Sequence, residues 1–83
     1  MSKCAELYEH SKNNPTGLRF KDLCQLAECY GFVLTRSRGS HRVYKRAGQF
    51  ALMDFQEAKN GMAKAYQVRQ LLAAIQSQRG ESD

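Results

Sequence analysis

One histidine stands in a setting suited to proton transfer beside phosphate groups. His41 directly follows the turn-forming pair Gly39 and Ser40, and Arg38 and Arg42 flank it. An unperturbed imidazole titrates near pH 6.5, so it exchanges protons at neutral pH, and guanidinium groups attract phosphates. This setting indicates general acid–base chemistry on a phosphate ester, with His41 as the candidate catalytic residue.

No other set of residues has the spacing of a catalytic or metal site. The sequence contains no usable Ser/His/acid set, carboxylate pair, Gly-rich phosphate loop or metal-ligand cluster. Asp54 and Glu57 are interpreted as isolated surface charges, and His10 as an exposed helix residue. We therefore predict that any catalysis uses neither a metal nor a cofactor.

Positive charge is concentrated around His41. The 83-residue chain has 13 Lys and Arg against eight Asp and Glu, for a formal net charge of +5. Positions 29–80 alone hold nine basic and two acidic residues, a local balance of +7. Such a field favours nucleic acid as the partner, with an acidic protein as the second choice. The candidate RNA-binding residues are Arg36, Arg38, Ser40, Arg42, Lys45 and Lys64.

The length of the chain limits its architecture. A protein of this size buries only about 60% of the surface that its unfolded chain exposes. We predict one domain over residues 1–83, with a core at about 19–78, an N-terminal helix and turn in 1–18, and a frayed tail at 80–83. This length excludes a two-domain enzyme with an interdomain cleft, and it argues against a large enclosed substrate pocket.

Cysteine usage and the N-terminus predict a cytoplasmic protein with no membrane partner. The sequence has neither a signal-peptide core nor a run of 18 apolar residues. The odd set Cys4, Cys24 and Cys29 fits neither a disulfide framework nor a metal site, so we predict free thiols. Cys24 and Cys29 fall within a helical pattern, where a small buried thiol is the simplest interpretation.

Hydrophobic periodicity predicts the elements that position His41. Helical spacing starts at Arg19, ends at Gly31, and returns from Val68 to Ile75. Between the two helices, β-branched and aromatic residues alternate with turn signals. The predicted strands are 32–35, 41–45 and 50–55, the turns are 37–40, 47–49 and 60–61, and 4–12 could add a short helix.

These elements predict an α+β fold with a three-stranded antiparallel sheet. Two helices can cover only one face of such a sheet, which leaves the other face in water. Because side chains alternate along a strand, we expect Tyr44 in the core and His41, Val43 and Lys45 on the open face. Phe55 and Phe50 are expected to be core residues rather than base-stacking ones.

Four stretches of the sequence match a family pattern. They are residues 19–23, 30–32, 36–44 and 59–72. Together they resemble the HicA toxins of bacterial toxin–antitoxin systems, over roughly residues 19–75. The resemblance implies a double-stranded-RNA-binding-like α-β-β-β-α fold, an mRNA-cleaving activity that blocks translation, a catalytic histidine at His41, and a HicB-type antitoxin that covers the site.

The expected reaction is transesterification of RNA. The 2′-hydroxyl attacks its own phosphate, His41 moves the proton, and Arg38, Arg42 or Lys45 stabilises the added charge. Tyr44 and Lys64 are the candidates for a second proton carrier. One alternative is a double-stranded-RNA-binding module without catalysis, and another is an adaptor that docks an acidic protein.

Overall fold

Two helices, a three-stranded sheet and a final helix follow one another along the chain. The computed structural model describes residues 3–46 and 52–78. The strands form one antiparallel sheet in the order β1-β2-β3. The predicted α+β class and α-β-β-β-α order are confirmed, with α1 as the additional helix. The elements are α1 Lys3–Asn13, a 3-10 turn Pro15–Gly17, α2 Phe20–Cys29, β1 Val33–Arg38, β2 His41–Lys45, β3 Met53–Gln56 and α3 Ala65–Gln78.

Helix α2 ends at a glycine that directs the chain into the sheet. Gly31 has φ of 91°, a left-handed conformation that suits a residue without Cβ. Its amide donates to the Glu28 carbonyl at 3.3 Å, and the Phe32 amide donates to the Ala27 carbonyl at 3.0 Å. These two hydrogen bonds are the pattern of a Schellman motif, and they confirm the predicted helix end.

A two-residue turn places His41 at the start of β2. Arg38 pairs with His41 across Gly39 and Ser40, and Gly39 has φ of 57°. A positive φ at only the first central residue is the type II′ pattern, for which Gly is preferred. The sequence predicts a four-residue turn at 37–40, but the turn needs only two residues, so Ser37 and Arg38 extend β1 instead.

A bulge in β1 determines which way its arginines point. Leu34 pairs with Tyr44 and Arg36 with Val43, so Thr35 has no partner of its own in the ladder. The Thr35 hydroxyl instead donates to the Val43 carbonyl at 3.1 Å. Plain alternation would put Leu34 and Arg36 on one face, but the extra residue puts them on opposite faces. All six residues of β1 are exposed.

The three helices, as far as the chain is described, pack on the same face of the sheet. Tyr44 and Phe55 point to that face, are 2% and 1% exposed, and have ring centroids 5.7 Å apart. The predictions that both lie in the core are confirmed. The same core cluster includes Tyr8 and Leu18, so α1 and the turn after it also bury apolar surface. None of the described helices covers the opposite face.

A disulfide joins α1 to the end of α2 and corrects the prediction of free thiols. Cys4 and Cys29 are bonded, while Cys24 stays free and packs against the core. The odd count hid the pair, because α1 folds back on α2 and brings together residues that lie 25 positions apart. Cysteine usage therefore no longer supports the prediction of a cytoplasmic location.

Some sequence predictions fall on other parts of the chain. The turn at 47–49, Phe50 and the tail at 80–83 lie outside the described residues. The third strand is described only as Met53–Gln56, the last part of the predicted one together with one further residue. Within residues 3–46 and 52–78, no helix is both long and apolar enough to cross a membrane.

We expect the disulfide to stabilise the domain. In the loop-entropy description, a bond closing a loop of about 25 residues contributes about 3–4 kcal/mol. Cys4→Ser should lower the free energy of unfolding in urea by about that amount in oxidising buffer. The variant and the wild type should become equal in dithiothreitol. If the urea midpoint of the wild type were the same with and without dithiothreitol, this expectation would be contradicted.

Candidate functional site

The contact between His41 and Asp54 is the centre of the candidate site. The His41 Nδ1 atom lies 3.0 Å from the Asp54 Oδ1 atom. An ionised carboxylate only accepts hydrogen bonds, so Nδ1 carries the proton and Nε2 of the neutral ring is the acceptor. The two side chains are 45% and 54% exposed. The contact therefore orients a proton acceptor on a side chain that solvent can reach.

The pairing of β2 with β3 creates this contact. His41 pairs with Gln56 and Val43 pairs with Asp54, so all four side chains lie on the open face and His41 and Asp54 are diagonal neighbours. The interpretation of Asp54 as an isolated surface charge is wrong. The two residues are 13 positions apart, and only the strand register brings them together.

Three of the predicted cations share the face of His41. Arg38 pairs with His41, Arg36 with Val43, and Lys45 with Val33. Directly opposed residues of antiparallel strands point to the same side, which places Arg36 and Arg38 on the open face, and alternation along β2 places Lys45 there as well. Each is exposed. The sheet therefore places Arg36, Arg38 and Lys45 on the same face as His41; the sequence predicts this face for Lys45 and assigns no face to the two arginines.

Lys64 reaches the same site from the segment before α3. Its Nζ atom donates to Gln56 Oε1 at 2.8 Å, and Gln56 is the strand partner of His41. Two backbone hydrogen bonds hold this segment in place. The Ala63 amide donates to the Leu18 carbonyl at 2.8 Å, and the Phe20 amide donates to the Gly61 carbonyl at 3.0 Å. Lys64 was predicted from its charge, whereas Gln56 gave no sequence signal.

The edge of β3 is closed by one side chain of α3. The Gln67 Nε2 atom donates to the Asp54 carbonyl, and its Oε1 atom accepts from the Gln56 amide, both at 3.0 Å. Gln67 is 5% exposed. Its two bonds to the backbone take the place of those that a neighbouring strand would make. Gln67 holds the backbone of the two residues that contact His41 and Lys64. A single glutamine in an amphipathic helix gave no indication of this role.

Two predicted residues lie elsewhere. Arg42 points to the helix side of the sheet, where its Nη1 atom donates to the Gly39 and His41 carbonyls at 3.0 and 3.2 Å. It therefore braces the turn that carries His41 and does not join the cations of the open face. Ser40 is exposed in that turn, and its carbonyl accepts from the Glu57 amide at 3.0 Å.

Tyr44 cannot be the second proton carrier. It is buried on the face opposite His41, and its hydroxyl donates to Glu28 Oε2 at 3.3 Å. Burial, together with this bond and the nearby Cys24 thiol, raises the pKa of the Tyr44 hydroxyl well above its ordinary value. Burial likewise raises the pKa of the Cys24 thiol. Of the two candidates, only Lys64 lies near the open face.

Comparisons with known proteins add nothing to the description of this site. Comparison of the chain with models of protein families, with curated proteins and with solved structures finds no match. In the described part of the chain, no three His, Cys, Asp or Glu side chains gather in a way that could hold a metal ion.

Loss of the Gln67 amide should loosen this edge. Gln67→Ala removes both bonds from the partly buried backbone of Asp54 and Gln56, which costs about 1–3 kcal/mol. We expect a lower free energy of unfolding in urea and faster hydrogen exchange of the Gln56 amide. Gln70→Ala, an exposed position of the same helix, is the matched control. Equal stability of the two variants would show that the amide contributes nothing.

Proposed function

We propose that this protein is a metal-independent endoribonuclease that cleaves mRNA, the toxin of a HicA-type toxin–antitoxin pair. The observation that carries the proposal is the 3.0 Å contact between His41 and Asp54 on an exposed sheet face. Arg36, Arg38 and Lys45 share that face and supply the positive charge that a polyanion requires. RNA suits an open site because it brings its own nucleophile.

The cleavage begins with proton transfer to His41. The Nε2 atom takes the proton of a ribose 2′-hydroxyl, and the 2′-oxygen forms a bond to the adjacent phosphorus. The bond from phosphorus to the 5′-oxygen breaks, which leaves a 2′,3′-cyclic phosphate and a 5′-hydroxyl. Arg38, opposite His41 in the sheet, stabilises the charge on the phosphorane. Lys64 is the candidate that returns a proton to the leaving oxygen.

Asp54 serves this reaction as a positioning residue. Its bond to Nδ1 selects the tautomer in which Nε2 is free to accept. After proton transfer, the carboxylate faces an imidazolium ion and stabilises it. Asp54 therefore favours the protonated intermediate without touching the RNA.

A HicB-type antitoxin is the proposed protein partner, and the cytoplasm is the proposed location. An inhibitor that covers the open face must match its positive charge, so its contact surface is expected to be acidic. Thiols are kept reduced in the cytoplasm, where the packing of Tyr8 in the core would hold α1 without the disulfide.

Replacement of His41 tests the catalytic assignment. We expect His41→Ala to lower the rate of RNA cleavage about a hundredfold or more, and to abolish growth arrest on expression. His10→Ala, which removes the other histidine from an exposed helix position, should behave like the wild type. The assay measures cyclic phosphate ends in the presence of EDTA.

Three outcomes would contradict the proposal. Full activity of His41→Ala would remove His41 from the mechanism, and activity lost in EDTA would overturn metal independence. RNA that binds the wild type but stays intact would favour the non-catalytic module that binds double-stranded RNA.

Replacement of Asp54 tests the positioning role. Asp54→Asn can no longer accept from Nδ1 with a full negative charge, so we expect cleavage to slow by at least about tenfold with little change in RNA affinity. Nitrogen NMR of the imidazole should show a loss of the Nδ1-protonated tautomer. Asp22→Asn on α2 is the control. An unchanged tautomer and an unchanged rate would remove Asp54 from the mechanism.

A further inference from the structure

A hollow lies beside the His41–Asp54 pair on the open face. Its volume is about 230 Å³, and it is lined by Thr35, Arg36, Val43 and Leu52. Val43 forms part of its wall and is the strand partner of Asp54. The hollow and the candidate catalytic site therefore share one strand position.

The lining combines apolar and cationic groups in a way that suits a nucleotide. Leu52 is 57% exposed, and Arg36 in the same lining carries a positive charge. A purely apolar ligand would have to approach through the surrounding cations, and a simple anion would gain nothing from Val43 and Leu52. A base joined to phosphate has a flat apolar surface and a negative charge, and an arginine plane can stack on the base.

We propose that this hollow binds one unpaired RNA base next to the bond that His41 attacks. The placement of the base next to the cleaved phosphodiester bond rests on the proposed function, but the binding of the base does not. Val43 lies two residues from His41 on the same side of β2, a distance of about 6.6 Å along the strand. The base therefore sits within about one nucleotide of the reacting phosphate, and bases stacked within a duplex cannot enter.

Binding of uncleavable RNA by Leu52→Ala tests this site. The probes are two 2′-O-methyl oligonucleotides of equal length, one with ordinary unpaired bases and one abasic, measured by fluorescence anisotropy. We expect Leu52→Ala to weaken binding of the first about fivefold and to leave binding of the abasic probe unchanged. Leu34→Ala is the matched control, because Leu34 is an exposed apolar residue on the helix side of the sheet, 41% exposed.

The outcomes separate this site from the proposed function. Equal weakening for both probes, or none for either, would overturn the base site even if RNA is cleaved. A selective loss with the base-bearing probe would support the base site even if the wild type leaves cleavable RNA intact. Failure of the wild type to bind either probe, with binding of an acidic protein instead, would overturn it as well.

Discussion

The register between β2 and β3 is the constraint on which the rest of the site depends. It places Asp54 next to His41 and Gln56 next to the Lys64 ammonium group, on the side that the helices leave uncovered. A shift of one residue would send the Asp54 carboxylate into the core and Phe55 into water, at a cost in buried apolar area. The packing of Tyr44 and Phe55 thus fixes the geometry of a contact on the opposite face.

The fold was largely readable from the sequence because its signals are local. Helical spacing, Gly31 and the alternation around Tyr44 each act over a few residues, and each prediction was confirmed. The bond from Cys4 to Cys29 could not be foreseen in this way, since it depends on how two helices pack. The bulge at Thr35 was not predicted either, because no particular residue type marks an unpaired position in a strand.

The candidate site was only half predictable, for a related reason. Charge and turn chemistry pointed to His41, Arg36, Arg38 and Lys45, all near one hairpin. The contacts of Asp54 and Gln67 depend on pairing across the sheet and on docking of α3, which no local pattern encodes. Arg42 shows the opposite error, since its charge suggested an RNA contact while strand alternation turned its side chain away to brace the turn.

The two edges of the sheet differ in a way that matters for self-association. Gln67 occupies backbone groups of β3, whereas no strand pairs with the outer side of β1 within the described residues. In the described part of the sheet, a further strand could therefore add at β1. A second copy that paired there would bring its own Arg36 and Arg38 close to the first pair, and this repulsion opposes dimers formed by β1–β1 pairing. The charge that suits a polyanion also keeps the chains apart.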